Sequence, residues 1–294
     1  MTFVAKLFLL IATISLVAFS QTRYAISYDS VKIAYTDRGK GDIVLVFVHG
    51  WSCDRTYWST QVEAFAASCR VIALDLAGHG ESGSNRTWWS IQGFGEDIAA
   101  VIDTLDLKNV VLVGHSAAGY SILEAARIRP NRVIALVGAD AYRFISKGYF
   151  DRKFSVKEIE RSAVPLKQDF AGNIEQLVRT QFFGPNAKKE LVDSVARDMA
   201  SAPPAIAIPT GTYAFYIYRN DYLQAALTKV GASLPIFAIN SGEKSQIDPK
   251  VFQEYAPRFN VSYIPDVGHF LMMEKPEAFN AELARILKEI GFEK

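Results

Sequence analysis

Near-continuous apolar runs, rich in β-branched residues, alternate with amphipathic segments through the first half of the chain. The runs cover residues 43–48, 71–76, 110–113 and 133–137. Apolar residues then recur at helical spacing after each run, as Ile98, Val101 and Leu105 do after the second. Strands of this composition are buried on both faces, and intervening helices make them parallel. The pattern predicts an α/β fold with a mostly parallel central sheet covered by helices on both faces.

The rhythm differs at the beginning and in the middle of the chain. Residues 24–27 and 31–35 alternate around a short polar turn, which predicts an opening β-hairpin. From about Arg143 to Leu234 the chain is helical and irregular, and strand patterns resume at residues 235–240 and 260–264. An unstructured insertion of that length is uncommon in a compact domain. We therefore expect a core of residues 21–142 and 235–294, with a helical cap of residues 143–234 inserted between core strands.

The overall composition excludes several classes of protein. The 294 residues are 50% hydrophobic and 21% charged, which is typical of a globular chain. A net charge of +1 and the lack of a Lys/Arg cluster give no reason to expect a nucleic-acid partner. Residues 78–83 read G-x-G-x-x-G after a strand, but no helical pattern opens there, so a dinucleotide site is not predicted. We expect no metal and no cofactor.

The first 20 residues form a separate segment. Lys6 precedes an uncharged run, and Ala18 and Ser20 place small residues where a signal peptidase reads them. The run is short for a membrane span. We predict a signal peptide cleaved after Ser20 and a secreted or periplasmic protein without stable membrane insertion. The alternative is an uncleaved anchor at a membrane. The sequence leaves the oligomeric state open.

Export would permit a disulfide between the two cysteines. Cys53 lies just after one predicted strand, whereas Cys69 lies just before the next. Parallel strands place those two points at opposite ends of the sheet. We therefore expect Cys53 and Cys69 not to form a disulfide.

Residues 114–119 (GHSAAG) lie between a buried strand and a helix, which is the setting of a nucleophile elbow. A serine hydroxyl is a weak nucleophile until a base activates it. Gly114 and Ala118 fit a turn that brings strand and helix too close for large side chains. Ser116 is the candidate nucleophile. The plainer interpretation is a turn that merely contains a serine.

The elbow requires a base and two oxyanion donors. Of the four histidines, only His269 follows Ser116 on a separate segment, after the last strand, so we expect it to be the base. One donor should be the N–H of Ala117, directly after the nucleophile. The second should be the N–H of Trp51, in the loop after residues 43–48, where Gly50 lets the backbone turn inward. The Trp51 side chain either lines the acyl pocket or belongs to the core.

Four ordered motifs resemble those of the α/β-hydrolase family. They are His49-Gly50-Trp51, the D-x-x-G-x-G-x-S segment of residues 75–82, the elbow, and Gly268-His269. The resemblance covers the chain from about Tyr24 to its end. It implies a cap that shapes the substrate pocket and an acid between Ser116 and His269 in the chain.

The identity of that acid is open. Many members of the family carry an aspartate after the penultimate strand, where this chain has Ser245. Asp140 stands directly at the end of the strand that follows the elbow helix, and it is our first choice. Glu243 and Asp248 are the alternatives. The other interpretation of Asp140 is a cap for the segment that follows it.

These features predict a serine hydrolase that cleaves a carboxylic ester or similar acyl compound, with water as second substrate and a Ser116, His269, Asp140 triad. A serine nucleophile argues against the epoxide hydrolases and haloalkane dehalogenases of the family, which use aspartate. Carbon–carbon bond hydrolysis and cofactor-free perhydrolysis remain alternatives because their triads look alike. A small-molecule receptor on the same fold is the alternative of another class.

Overall fold

The computed structural model describes residues 21–143, 145–146, 148, 154–218, 221–242 and 247–292. The predicted signal peptide lies outside the described residues. The strands are β1 (Arg23–Ile26), β2 (Lys32–Arg38), β3 (Val44–Val48), β4 (Arg70–Leu74), β5 (Val110–His115), β6 (Val133–Ala139), β7 (Ile236–Ser241) and β8 (Asn260–Ile264). The helices before β7 are α1 (Ser59–Phe65), α2 (Ile91–Thr104), α3 (Ala118–Ile128), α4 (Val156–Ser162), α5 (Val164–Gln168), α6 (Phe170–Leu177), α7 (Lys189–Ala200), α8 (Pro204–Ala214) and α9 (Tyr222–Gly231). After β7 come α10 (Pro249–Tyr255), α11 (Leu271–Glu274) and α12 (Pro276–Glu289).

The described strands form one sheet in the order β1-β2-β4-β3-β5-β6-β7-β8. β1 pairs with β2 and β2 with β4 in antiparallel register, whereas every pair from β4 to β8 is parallel. The predicted opening hairpin and mostly parallel sheet are therefore confirmed. β5 lies between β3 and β6, so the residue after β5 emerges near the middle of the sheet edge.

Both faces of the sheet are buried, as the apolar runs require. In β3, Val46 and Val48 face a core that also contains Ile98 of α2 and Ile122 of α3. Leu45 and Phe47 point to the opposite core, which includes Val62 of α1 and four residues of α12: Phe279, Leu283, Ile286 and Leu287. The helices thus cover the sheet from both sides and hold the strand ends in fixed relative positions.

The chain between β6 and β7 carries helices α4 to α9, a π-helical turn (Val178–Phe182) and a 3₁₀ turn (Phe215–Tyr218). Side chains tie this region to the rest of the protein. The Trp51 indole N–H donates to the carbonyl of Ala207 (2.7 Å), and the Tyr57 hydroxyl donates to Asp198 (2.6 Å). The predicted division into core and cap remains a prediction, although the helices fall where it places the cap.

Two further features concern the cysteines and the helix lengths. Cys53 and Cys69 are both buried and are not joined by a disulfide, as expected.

Among the helices of the described residues, none is both long and apolar enough to cross a membrane.

Candidate active site

Ser116 occupies a sharp turn between β5 and α3. Its φ of 55° lies in the left-handed region, which an L-residue adopts at a cost in free energy. Its N–H donates to the carbonyl of Ala139 at the end of β6 (3.0 Å). A Cβ at Gly114 would lie 2.7 Å from the carbonyl oxygen of Ala118. Strand and helix therefore approach so closely that position 114 must be glycine.

Three side chains from separate segments are hydrogen-bonded in a row at this edge of the sheet. Ser116 Oγ lies 2.8 Å from His269 Nε2, and His269 Nδ1 lies 2.6 Å from Asp140 Oδ2. With Nδ1 protonated, the imidazole donates to Asp140 and accepts from the Ser116 hydroxyl. His269 is only 8% exposed and Asp140 only 1%. A lone pair on the imidazole is thus held against the serine hydroxyl.

Asp140 is fixed and kept ionised by several neighbours. Its Oδ1 accepts from the backbone N–H (2.8 Å) and the hydroxyl (2.9 Å) of Ser241, at the end of β7. Arg143 Nη1 lies 3.1 Å from its Oδ2. Burial opposes ionisation, but the hydrogen bond and charge of His269, with the charge of Arg143 and the Ser241 N–H, hold the pKa of Asp140 below its usual value.

The loop that carries His269 is anchored on two sides. The His269 N–H donates to the carbonyl of Phe182, in the π-helical turn of the inserted region. On the other side, His115 Nε2 lies 2.8 Å from the His269 carbonyl oxygen, so it donates to it. Burial, followed by the nearby charge of His269, lowers the pKa of His115 to about 3, and its ring is neutral at pH 7.

Trp51 and Ala117, the two expected oxyanion donors, line one small cavity of about 20 Å³ next to the elbow. Gly50 lines it too, and a Cβ there would lie 3.2 Å from Ser116 Cβ and 2.7 Å from His115 Nδ1. The loop after β3 thus packs directly on the elbow. Trp51 is partly buried and also packs against the hydrophobic core, and the place of its side chain in an acyl pocket stays a prediction.

The segment of residues 75–82 also contributes Leu76 and His79 to the lining of this cavity. The buried carboxylate of Asp75 accepts from the backbone N–H groups of Arg55 (2.7 Å) and Glu81 (2.8 Å). A Cβ at Gly80 would lie 2.3 Å from the same carboxylate. The glycines of this G-x-G string therefore wrap the chain around Asp75, and α2 begins only at Ile91.

Comparison with known proteins identifies the family. The sequence profile of the alpha/beta hydrolase family matches residues 45–282. The chain belongs to the alpha/beta hydrolase family. It is therefore an α/β hydrolase, and the sheet order and the elbow described above are those of this enzyme.

Individual proteins resemble this α/β hydrolase along most of its length. It is 30% identical over 254 residues to the dihydrolipoyllysine-residue acetyltransferase component of the acetoin cleaving system of Pseudomonas putida, covering 85% of this chain but only 65% of that protein. It is 33% identical over 252 residues to pimeloyl-(acyl-carrier protein) methyl ester esterase of Aliivibrio salmonicida. That match covers 83% of this chain and 92% of that protein. A thermophilic esterase from Thermogutta terrifontis superposes with a TM-score of 0.76 at 22% identity, over 93% of this chain and all of that one (100%).

Of the two alternative acids of this α/β hydrolase, Asp248 does not join the serine and histidine. Asp248 is the N-cap of α10, and its carboxylate accepts from the backbone N–H groups of Lys250 (3.0 Å) and Val251 (3.4 Å). Glu243 lies outside the described residues. Within those residues, no three His, Cys, Asp or Glu side chains are grouped so that they could hold a metal ion.

Three residues at the site were not singled out as partners from the sequence. Arg143 and Ser241 hold Asp140, and His115 holds the His269 backbone. Only for Arg143 did the sequence offer a signal for its role, because it stands three residues after the candidate acid Asp140. Ser241 and His115 gave none, because their roles depend on contacts with segments far away in the chain.

Proposed function

We propose that this α/β hydrolase cleaves a carboxylic ester or a similar acyl compound through an acyl-enzyme on Ser116. The observation that carries the proposal is the unbroken hydrogen-bonded row from Ser116 Oγ to His269 (2.8 Å) and from His269 to Asp140 (2.6 Å). The names of the esterase relatives support the same reaction class. Nucleophile, base and orienting acid at these distances are the arrangement that acyl transfer requires.

The reaction follows from these contacts in two halves. Ser116 Oγ attacks the carbonyl carbon while His269 Nε2 takes the hydroxyl proton, and the N–H groups of Trp51 and Ala117 bind the oxyanion. The tetrahedral intermediate expels the alcohol, which receives that proton from His269. Water then attacks the acyl-enzyme with His269 again as base, and the carboxylic acid leaves Ser116. Asp140 holds the imidazole in the required tautomer and stabilises it when protonated.

Turnover of p-nitrophenyl esters tests the proposal. We expect the wild-type protein to release p-nitrophenol and Ser116→Ala to lose at least about 10³-fold in kcat. A fluorophosphonate should label the wild-type protein and not the variant. Ser262→Ala is the control, because Ser262 is a partly buried serine on β8 that belongs neither to the proposed triad nor to the cavity lined by Trp51 and Ala117. A folded wild-type protein that is inert to both reagents would instead favour a small-molecule receptor.

A further inference from the structure

A second cavity, the aromatic groove, is lined by Trp88, Trp89, Tyr216 and Tyr222 and has a volume of about 170 Å³. Ile91 lines both this groove and the cavity that contains Trp51 and Ala117. An apolar cavity of about 150 Å³ can hold a benzene molecule. The groove is therefore large enough for one aromatic ring of a ligand whose reacting group lies at the elbow.

Two walls of the aromatic groove are held in place. Trp89 is 5% exposed, and its ring centroid lies 6.4 Å from that of Phe94. The Arg86 guanidinium carbon lies 5.8 Å from the Trp89 ring centroid. The Tyr222 hydroxyl donates to the buried carboxylate of Glu124 (2.7 Å). Because these contacts exist without ligand, the groove is preformed. Binding therefore costs little conformational entropy in its side chains.

The walls indicate an uncharged, flat ligand. In the part of the chain that the structure describes, every residue lining the aromatic groove is uncharged. Two of its polar groups are engaged with the protein, since Ser90 Oγ accepts from the Gly93 N–H (3.0 Å) and the Tyr222 hydroxyl donates to Glu124. Trp88 is 60% exposed, and an aromatic ring stacked on it would remove apolar surface from water.

If the protein hydrolyses esters as proposed, the position of the groove relative to His269 determines which part of the substrate reaches it. His269 must give its proton to the departing alcohol, so the alcohol faces the imidazole and the Phe182 ring, 4.9 Å away. Neither His269 nor Phe182 lines the aromatic groove or the cavity it shares Ile91 with. The acyl group therefore extends the other way, past Ile91. We propose that the aromatic groove binds an uncharged aromatic ring at the end of the substrate's acyl group, which makes arylalkanoyl esters the substrate class.

Three esters with the same leaving group test this inference. They are p-nitrophenyl acetate, p-nitrophenyl hexanoate, which has length without a ring, and p-nitrophenyl 3-phenylpropanoate. We expect the wild-type kcat/KM to be highest for the phenylpropanoate. Trp88→Ala should lower the ratio of its kcat/KM to that of the hexanoate about tenfold. Tyr24→Ala is the control: Tyr24 is a 48% exposed aromatic residue on β1 that lines neither cavity, and this variant should keep the wild-type ratio.

A binding measurement separates this inference from the proposed function. Calorimetry with methyl 3-phenylpropanoate and Ser116→Ala should give a dissociation constant that rises about tenfold when Trp88→Ala is added. If the wild-type protein cleaves the esters but Trp88→Ala changes neither the ratio nor the dissociation constant by more than about twofold, the ring site is wrong and the hydrolase stands. If no ester is cleaved but the double variant binds more weakly, the ring site stands and ester hydrolysis is wrong.

Discussion

His269 Nδ1 lies 2.6 Å from Asp140 Oδ2, although 129 positions separate the two residues in the chain. Asp140 follows β6 rather than β7, so its carboxylate comes from the strand that directly neighbours the elbow strand β5. The end of β7 contributes Ser241 instead, which binds the other carboxylate oxygen. Two adjacent strand ends thus cooperate, one to supply a carboxylate and the other to orient it.

Asp140→Asn should reduce kcat for a p-nitrophenyl ester by about 10⁴-fold. The amide keeps the size of the carboxylate but can no longer stabilise the imidazolium, and it can turn the imidazole to the wrong tautomer. Far-UV circular dichroism should be unchanged. Steady-state kinetics against the wild-type protein measure the effect.

Asp248→Asn provides the matched control for that experiment. Asp248 caps α10, and the asparagine oxygen can still accept from the N–H groups of that helix. We expect kcat to stay within about twofold of wild type, since asparagine and aspartate are equivalent caps. A large loss in Asp248→Asn together with a small one in Asp140→Asn would overturn our assignment of the acid.

Gly50→Ala should lower kcat about 10²-fold while the protein remains folded. The added methyl would lie 2.7 Å from His115 Nδ1 and 3.2 Å from Ser116 Cβ, so the loop that carries the Trp51 N–H must move away from the elbow. Gly148→Ala is the control, because a Cβ there would lie within 4 Å of no other residue that the structure describes. Steady-state kinetics on both variants check this. Equal activities would show that the loop accommodates the methyl group without displacing the Trp51 N–H.

Much of the fold and the central residues of the site follow from local sequence pattern. Apolar runs such as residues 43–48 determine buried parallel strands, and parallel strands place their ends at one edge, which is why Ser116 and Asp140 could be named together. Gly114 and Ala118 marked the elbow because close strand–helix packing excludes larger side chains. Both features follow from short-range steric limits and from the spacing of apolar residues, which can be recognised in the sequence alone.

The remaining features depend on contacts between distant segments. Ser241 donates to Asp140 although 101 positions separate the two residues in the chain. The aromatic groove combines Trp88, before α2, with Tyr222, on α9. Periodicity along the chain carries no information about which distant segment these two side chains face.

His115→Leu should lower kcat roughly tenfold, whereas His115→Gln should retain most of it. Leucine removes the donor to the His269 carbonyl, while a glutamine Nε2 can replace the His115 Nε2–H. KM should change less than kcat, because His115 holds the base and touches no substrate. Equal losses in the two variants would show that the imidazole ring itself matters, through packing against His269 (4.6 Å between ring centroids), and not the hydrogen bond.

The same residue should make stability depend on pH. Burial lowers the pKa of His115 to about 3 in the folded protein, whereas an unfolded histidine titrates near 6.5. Its contribution is complete above pH 6.5 and is lost as the pH falls toward 3, because only the unfolded chain then takes up the proton. Between pH 7 and pH 5, the free energy of unfolding should therefore fall by about 2 kcal/mol more in wild type than in His115→Gln. Urea titrations at the two pH values measure this difference, and parallel pH profiles would rule it out.

Asp97→Ala should destabilise the fold by about 3 kcal/mol or more. The buried Asp97 carboxylate accepts from Arg86 Nη2 (2.6 Å), from the Ser27 hydroxyl (2.6 Å) and from the Ala77 N–H (3.2 Å). Removing it leaves the buried Arg86 guanidinium with Asp29 alone. Asp103→Ala, on the same helix, is the control, because the Asp103 carboxylate is 44% exposed and its pair with Arg129 should contribute less than about 1 kcal/mol. The two midpoints of urea unfolding, at unchanged slope, decide between a structural network at Asp97 and a dispensable one.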